Sequence, residues 1–205
     1  MKKLVLAMVG LVLLAGCSSE SGNQQAEKPQ PKPPEYVTGR AAFQKTYIAA
    51  RGWARDAQPY RLQSQTTSDA KGRDGKSAVW RANFASPAQR GTKPYIWSGS
   101  NAADAPPRGV EPGTEDNYSP ANTSTQVFEI AFLKVDSDKA FDVAQKHGGD
   151  KILGKAPDTP VLYMLDWSAP TSELIWHVAY GPTMDEAKLK VDVNASNGEF
   201  IRVEK

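Results

Sequence analysis

Two segments of the chain, SAVWRANFASP and ELIWHVAYGP, carry the same arrangement of aromatic residues. Trp80 precedes Phe84 by four positions in the first segment, and Trp176 precedes Tyr180 by four positions in the second. Small residues and a proline follow each aromatic pair. Two interpretations are open, a shared active-site signature or one small packing unit that occurs twice.

The first segment alternates apolar and polar side chains, which is the pattern of a half-buried strand. Trp80 and Phe84 fall on one face of this strand, and Arg81 and Asn83 fall on the other. An aromatic side chain buries about 150–250 Å², and a small domain without disulfides needs such side chains for its core. We therefore expect Trp80 and Trp176 to be core residues, which favours the packing unit.

Around both segments the predicted elements follow the same order, a helix and then three strands. The first helix is predicted over 38–53, and the second over 136–149, ended by Gly148 and Gly149. Corresponding positions recur at nearly constant offsets, which are 98 from Phe43 to Phe141, 96 from Trp80 to Trp176 and 95 from Ile96 to Val191. Duplication of one helix-and-strand unit explains these offsets. Chance is the alternative, because few residues are identical between the two halves.

The pattern predicts an α+β fold with two tandem units, each a helix packed on a small antiparallel sheet in the order α-β-β-β. The first unit is expected at 38–100 and the second at 125–205, with 125–135 as its leading strand. Asn197 and Gly198 are expected to turn its last hairpin. Residues 101–124 are polar and rich in proline, so they are predicted to form an irregular connector loop.

The N-terminal residues are typical of an export signal. Lys2 and Lys3 precede an apolar run from Leu4 to Leu14. This run is too short to span a bilayer, which takes about 20 apolar residues. We therefore expect it to be removed after export.

The letters LAGC, Leu14 to Cys17, follow this run and resemble the lipobox of bacterial lipoproteins. The resemblance implies that residues 1–16 form a lipoprotein signal peptide and that Cys17 is lipidated. An ordinary secretory signal is the alternative. Cys17 is the single cysteine of the chain, so no internal disulfide competes for its thiol. Ser18 stands where an aspartate would favour retention in the inner membrane, which favours an outer-membrane anchor facing the periplasm.

Residues 17–37 are polar and rich in proline, so they are predicted to be a flexible, disordered linker between the anchor and the folded part. Loss of Lys2 and Lys3 leaves 23 basic residues, two fewer than the 25 of the whole chain, against 23 acidic residues. A neutral chain creates no long-range field that attracts polyanions. We therefore expect no nucleic-acid partner.

The second half also resembles a PepSY module. The resemblance rests on DKAFDVAQKHGG, LIWHVAYG and KVDVNASNGEFIRV, and it extends from Asp136 to Lys205. The first half departs from the pattern, since YIWSGSNAADAPPRG lacks the acidic residue and the Asn-Gly turn. PepSY modules occur in protease propeptides and in secreted or lipid-anchored bacterial proteins. The resemblance implies a noncatalytic binding or inhibitory role and brings no catalytic residues.

Few residues suit catalysis or metal binding, which need clustered His, Asp, Glu or Cys. His147 fits the last turn of a helix. His177 should lie on the face opposite Trp176, where a site with Asp166 or Asp192 is conceivable. We therefore predict no catalytic residue, no cofactor and no metal.

The start of the second helix, Asp136 to Asp138, also resembles a calcium loop. Phe141 and His147 occupy the positions where that loop needs Gly and Glu, so helix capping is the better interpretation. Trp97 and Trp167 stand at predicted strand ends. Together with His177, these two residues are the predicted contacts with a partner.

These observations predict a membrane-anchored envelope lipoprotein without enzymatic activity, which acts as a protein- or peptide-binding or regulatory module. Regulation of an extracytoplasmic protease is one form of this role that the PepSY resemblance implies. The expected partners are the bilayer, through acylated Cys17, and an envelope protein or peptide. A structural or assembly lipoprotein of an envelope complex is the alternative.

Overall fold

The computed structural model describes residues 32–204. The predicted signal peptide, Cys17 and the linker up to residue 31 lie outside the described residues. Within residues 32–204, no helix is both long enough and apolar enough to cross a bilayer.

Eleven strands are present in the described chain. Their bounds are β1 Val37–Thr38, β2 Gln58–Gln65, β3 Lys76–Ser77, β4 Val79–Ser86, β5 Gly91–Ser98, β6 Gly109–Pro112, β7 Asp116–Asn117, β8 Val161–Ser168, β9 Glu173–Tyr180, β10 Leu189–Asn194 and β11 Phe200–Glu204. β1 pairs only with β3, and the other nine strands form one antiparallel sheet. The fold is therefore mixed α+β, with a large antiparallel sheet.

The sheet joins the two halves of the chain edge to edge. Its strand order is β11-β10-β9-β8-β2-β4-β5-β6, and β7 pairs with β5 beside β6. β2 and β8 meet at the centre, where Leu62 pairs with Leu165. The strands that follow each of them, β4 to β6 and β9 to β11, then extend outwards in opposite directions.

Three α-helices are present in the described chain. α1 covers Gly39–Trp53, α2 covers Ser137–Ala144 and α3 covers Asp150–Lys155. The backbone leaves the helical region at His147 and at Gly148, where φ is 115°, so the second predicted helix ends at Gly148 as expected. A separate short helix, α3, follows at once, and Gly149 stands at its start.

The start of α2 follows the capping interpretation. The Asp136 carboxylate accepts a hydrogen bond from the Ser137 backbone N–H at 2.7 Å and one from the Arg40 backbone N–H at 2.9 Å. The Ser137 hydroxyl accepts a hydrogen bond from the Gly39 backbone N–H at 2.8 Å. The N-termini of α1 and α2 are therefore bonded to each other.

Trp80 and Trp176 lie below these two helix starts and are fully buried. Their ring centroids are 6.4 Å apart in an edge-to-face arrangement. The Trp80 indole donates a hydrogen bond to the Val37 carbonyl, and the Trp176 indole donates one to the Val135 carbonyl. The two acceptors are 98 positions apart, the same offset that separates Phe43 from Phe141 in the sequence. Both tryptophans are core residues, as predicted.

Two segments differ from the sequence-based expectation. Residues 125–135 do not form a strand. A short 3₁₀ turn, Thr123–Thr125, leads into them, a second one covers Ile130–Phe132, and the remaining chain is irregular. The expected connector at 101–124 is only partly irregular, because β6 and β7 lie within it and pair with β5. Short strands without alternating apolar residues leave no periodic signal.

The two ends of the described chain are held in place. The Glu35 backbone N–H bonds the Gly99 carbonyl, so the linker predicted over 17–37 ends in ordered chain. At the other end, Asn197 and Gly198 lie in the β10–β11 loop as predicted, although the loop runs over 195–199 and is longer than a two-residue turn. Gly198 has a φ of 80°, which suits glycine there.

We expect Trp176→Ala to lower the free energy of unfolding by about 3–5 kcal/mol, because it leaves a cavity and an unpaired Val135 carbonyl in the core. Chemical denaturation followed by circular dichroism measures this loss. Trp176→Phe retains most of the apolar surface, so its loss should be smaller. An unchanged unfolding midpoint for Trp176→Ala would contradict the core assignment.

Candidate binding face of the sheet

The helices pack on one face of the sheet and leave the other face open to polar side chains. Trp80, Trp97, Trp167 and Trp176 all point to the helix-covered face, as their register requires. Alternation then directs their neighbours to the opposite face. We refer to this opposite face as the open face.

A row of paired residues crosses the open face from β11 to β6. In order along the row these residues are Arg202, Asp192, His177, Met164, Gln63, Arg81, Ile96 and Glu111. A second row places Asp166, Arg61 and Asn83 side by side on β8, β2 and β4. Most of these side chains are polar, so the open face is suited to recognition by hydrogen bonds and charge.

A β-bulge in β2 shapes two grooves on this face. The register shifts between Pro59 and Arg61, so Tyr60 is an extra residue in the strand, and such bulges redirect side chains. Tyr60, Arg81 and Asn83 line both grooves, whose volumes are about 210 Å³ and 350 Å³. The smaller groove also contacts Arg61.

Arg81 is the cation of the open face that is available to a ligand. Its Nε donates a hydrogen bond to Asn83 Oδ1 at 3.3 Å. Within residues 32–204 no carboxylate lies within ion-pair distance of Arg81, whereas Arg61 pairs with Asp166 and Arg202 pairs with Asp192. A guanidinium can hold a carboxylate or phosphate through two parallel hydrogen bonds. Arg81 can therefore bind an anionic group of a ligand.

His177 lies between two carboxylates on the other half of the open face. Its Nδ1 is 2.6 Å from Asp192 Oδ1, and its Nε2 is 3.2 Å from Asp166 Oδ1. The sequence analysis named Asp166 or Asp192 as a partner of His177, and in the structure both contact its ring. Glu204 Oε1 lies 3.9 Å from Nδ1, and Glu204 Oε2 is paired with Lys190 Nζ at 2.7 Å.

These contacts determine the protonation state of His177. Burial alone would lower the pKa of His177, but the hydrogen bonds and charges of Asp166 and Asp192 outweigh burial and raise the pKa to about 9. The imidazole is therefore protonated near neutral pH and donates from both nitrogens. Asp192 is fully buried, and Arg202 Nε lies 2.9 Å from its second oxygen.

Three residues of this cluster carry groups that can bind a metal ion. Ligand atoms of His177, Asp192 and Glu204 lie within 4.8 Å of one another, and imidazole and carboxylate are ligands that zinc accepts. However, a protonated imidazole has no lone pair for a metal, and Lys190 and Arg202 already contact the two carboxylates. We interpret this arrangement as a closed ion-pair network.

The two tryptophans predicted to contact a partner lie on the helix-covered face. Trp97 is only 3% exposed, and Lys45 Nζ lies 4.7 Å from its ring centroid, so its ring offers little surface to a partner. Trp167 is partly buried, and its ring centroid lies 5.3 Å from that of Phe132. Trp97 pairs with Trp80, next to Arg81 in the register, but its side chain points to the face opposite Arg81.

Sequence reasoning missed Tyr60 and Arg81 as binding residues. The alternation in β4 does place Arg81 and Asn83 opposite Trp80, so the signal was present. The sequence does not show that β2 pairs with both β4 and β8. This pairing creates the row of polar residues on the open face. The bulge at Tyr60 has no signal in the sequence.

We expect the stability of the protein to fall as pH rises through about 9. Because the pKa of His177 is raised from 6.5 to about 9 in the folded state, its contribution of roughly 3 kcal/mol is present below pH 6.5 and is lost above pH 9. His177→Gln should remove this pH dependence, as measured by denaturation at several pH values.

His147→Gln is the matched control, because it removes the exposed imidazole that stacks on Phe200. It should leave the pH dependence unchanged. An NMR titration of His177 with a midpoint at or below pH 6.5 would contradict the ion-pair network.

Comparison with known proteins gives one informative match. A crystal structure from Clostridium difficile 630, of a protein provisionally classed as a lipoprotein, superimposes with a TM-score of 0.53 at 11% sequence identity, and the match covers 80% of this chain and 91% of that chain. At this identity the likeness shows the fold alone. No protein-family profile matches the sequence, and the comparison with curated proteins gave no match.

Proposed function

We propose that this chain is a lipid-anchored protein of the bacterial cell envelope that binds a protein or peptide on the open face of its sheet without catalysing a reaction. The observation that carries the proposal is the pair of grooves around Tyr60, Arg81 and Asn83, in which Arg81 lacks a carboxylate partner among the described residues. An extended segment that presents a carboxylate at the smaller groove would satisfy Arg81, since Glu115 and Asp116 line the larger groove alone.

The geometry of His177 supports a noncatalytic role. A general base needs a free lone pair within reach of the proton that it removes. Both ring nitrogens of His177 contact carboxylates, and protonation near neutral pH occupies the lone pair. The residue therefore stabilises the sheet instead of acting on a substrate.

The equivalent indole contacts support two tandem PepSY-like units within the single sheet. Each unit contributes a helix, a tryptophan strand and a carbonyl that precedes the helix and accepts the indole hydrogen bond. The two units would then pair through their first strands, β2 and β8. Regulation of an extracytoplasmic protease rests on the PepSY resemblance alone and is the narrowest form of the proposal.

The lipid anchor rests on the LAGC motif and on Cys17 as the single cysteine. The related fold of a protein that is provisionally classed as a lipoprotein fits the same assignment. Ser18 favours the outer membrane, with the folded part in the periplasm. Two or more acyl chains are needed for durable anchoring, because one chain alone binds only marginally.

An assembly role is the second candidate, and an exposed sheet edge favours it. β11 is the last strand of the sheet, and its outer edge has no partner within residues 32–204. Phe200 and Val203 are exposed on this strand. Such an edge can accept a strand from another protein, so a larger envelope complex could dock there.

We expect Cys17→Ser to abolish lipidation and release the protein from the membrane. Metabolic labelling with an alkyne fatty acid, followed by membrane fractionation, measures both effects. Ser18→Ala is the matched control and should be labelled like the parent protein. Labelling of Cys17→Ser would show that the anchor lies elsewhere.

We expect a photo-crosslinker at Gln63, beside Arg81 on the open face, to give a discrete adduct in the native envelope. Arg81→Glu should reduce this adduct at least tenfold, since one charge-assisted hydrogen bond contributes about 1.5–3 kcal/mol. Mass spectrometry of the adduct identifies the partner.

Arg55→Glu is the matched control, because Arg55 is exposed in the turn between α1 and β2. It changes the charge equally and should leave the adduct unchanged. An equal loss of the adduct in Arg81→Glu and Arg55→Glu would favour the assembly role. An adduct that forms only when the photo-crosslinker is placed in β11 would favour it as well.

A further inference from the structure

The surface of α1 that faces solvent carries an apolar groove of about 800 Å³. Phe43, Tyr47 and Ile48 of α1 form one wall, and Ile130 and Leu133 of the irregular 125–135 segment form the other. The groove lies on the helix-covered side of the protein. It is therefore separate from the open face and from His177.

The rim of this groove exposes more apolar surface than the core requires. Ile48 is 76% exposed, and Ile130 and Phe132 are more than one third exposed. Phe132 packs against Trp167, so the apolar surface continues along the segment. A single exposed apolar side chain is ordinary, whereas a cluster marks an interaction surface.

The charged side chains that line the groove are positive, and no Asp or Glu is among the lining residues. Arg40 and Lys134 line the groove and Arg51 lies near its far end, while α1 contains no Asp or Glu. In the described part of the chain, none of these three cations has a carboxylate within ion-pair distance. Lys45, on another face of α1, is neutralised by Glu35 at 2.9 Å. The groove therefore suits an occupant that is apolar and anionic.

We propose that this groove docks on the anionic lipid surface of the membrane to which the chain is anchored. The proposal rests on the lipid anchor of the proposed function. Only 15 positions separate Cys17 from Lys32, where the described chain begins, and a chain of that length spans at most about 50 Å. Such a short connection keeps α1 at a high local concentration near lipid headgroups, so a weak affinity is sufficient.

The chemistry of the surface matches the interfacial region of a bilayer. Ile48, Ile130 and Phe132 enter the headgroup layer, and Arg40, Arg51 and Lys134 contact lipid phosphates. Because α1 and the open face lie on opposite sides of the sheet, docking directs Arg81 away from the bilayer. The binding face then points into the envelope.

The experiment uses the chain from residue 17 onward with Cys17→Ser, so that no acyl group contributes. Vesicles of phosphatidylethanolamine with phosphatidylglycerol are compared with vesicles of phosphatidylcholine in a co-sedimentation assay. Binding is expected on the anionic vesicles alone, and it should weaken as salt rises because salt screens exposed charges.

Arg40→Ala and Lys134→Ala should each weaken binding to anionic vesicles about fivefold, and Ile48→Asp should weaken it further. Ile48 is exposed, so this variant should keep the melting temperature of the parent. Lys188→Ala removes an exposed cation in the loop before β10 that does not line the groove, so it is the control and should bind vesicles like the parent.

Failure to bind vesicles at about millimolar anionic lipid, the effective concentration that a short linker provides, would overturn the proposal. Equal binding to phosphatidylcholine, or unchanged binding by Ile48→Asp, would overturn it as well. No binding to vesicles together with capture of an acidic envelope protein at Ile48 would reassign the groove to a protein partner. These results concern the groove alone, whereas loss of fatty-acid labelling at Cys17 concerns the anchor.

Discussion

The two buried indoles of Trp80 and Trp176 determine the arrangement of the whole fold. A buried N–H without a partner is costly, so each indole requires a carbonyl at a fixed place above the sheet. Val37 and Val135 supply these carbonyls, and each lies just before a helix. The indole contacts therefore fix where both helices begin. Gly39 allows the closest approach, since a Cβ there would lie 2.6 Å from the Trp176 ring.

The polar character of the open face follows from the packing of the helices and tryptophans on the helix-covered face. The helices and the large aromatic side chains of β4 and β9 lie on one side of the sheet. Among the alternate residues, apolar ones such as Leu162 and Ile175 are buried, and the remainder are mostly polar. On β9 and β10 this leads to internal neutralisation, because His177 and Arg202 balance Asp166 and Asp192. The half of the face that contains Arg81 has no such pairing in the described chain, so the two halves differ in whether their cations are neutralised.

The sequence predicted the parts of the fold that depend on periodicity. Alternation in β4 and β9 was sufficient to place both tryptophans in the core and His177 on the opposite face. It was not sufficient for segment 125–135, whose apolar residues suggest a strand, because these side chains instead pack against α1 and Trp167 from irregular chain. Gly148 ends the second predicted helix as its sequence indicated, whereas the short helix α3 that follows it had no sequence signal. The bulge at Tyr60 depends on pairing between distant strands, which no local pattern records.

A lipid anchor alone does not orient the protein that it holds, since a chain attached at one end can present any face. Orientation requires a second contact, and the contact must lie opposite the binding surface. In this fold the sheet separates the two, because α1 carries its cations and exposed Ile48 on one side and Arg81 lies on the other. The same alternation that buries Trp80 thus places the surface proposed to face the membrane and the surface proposed to face a partner on opposite sides of a single sheet.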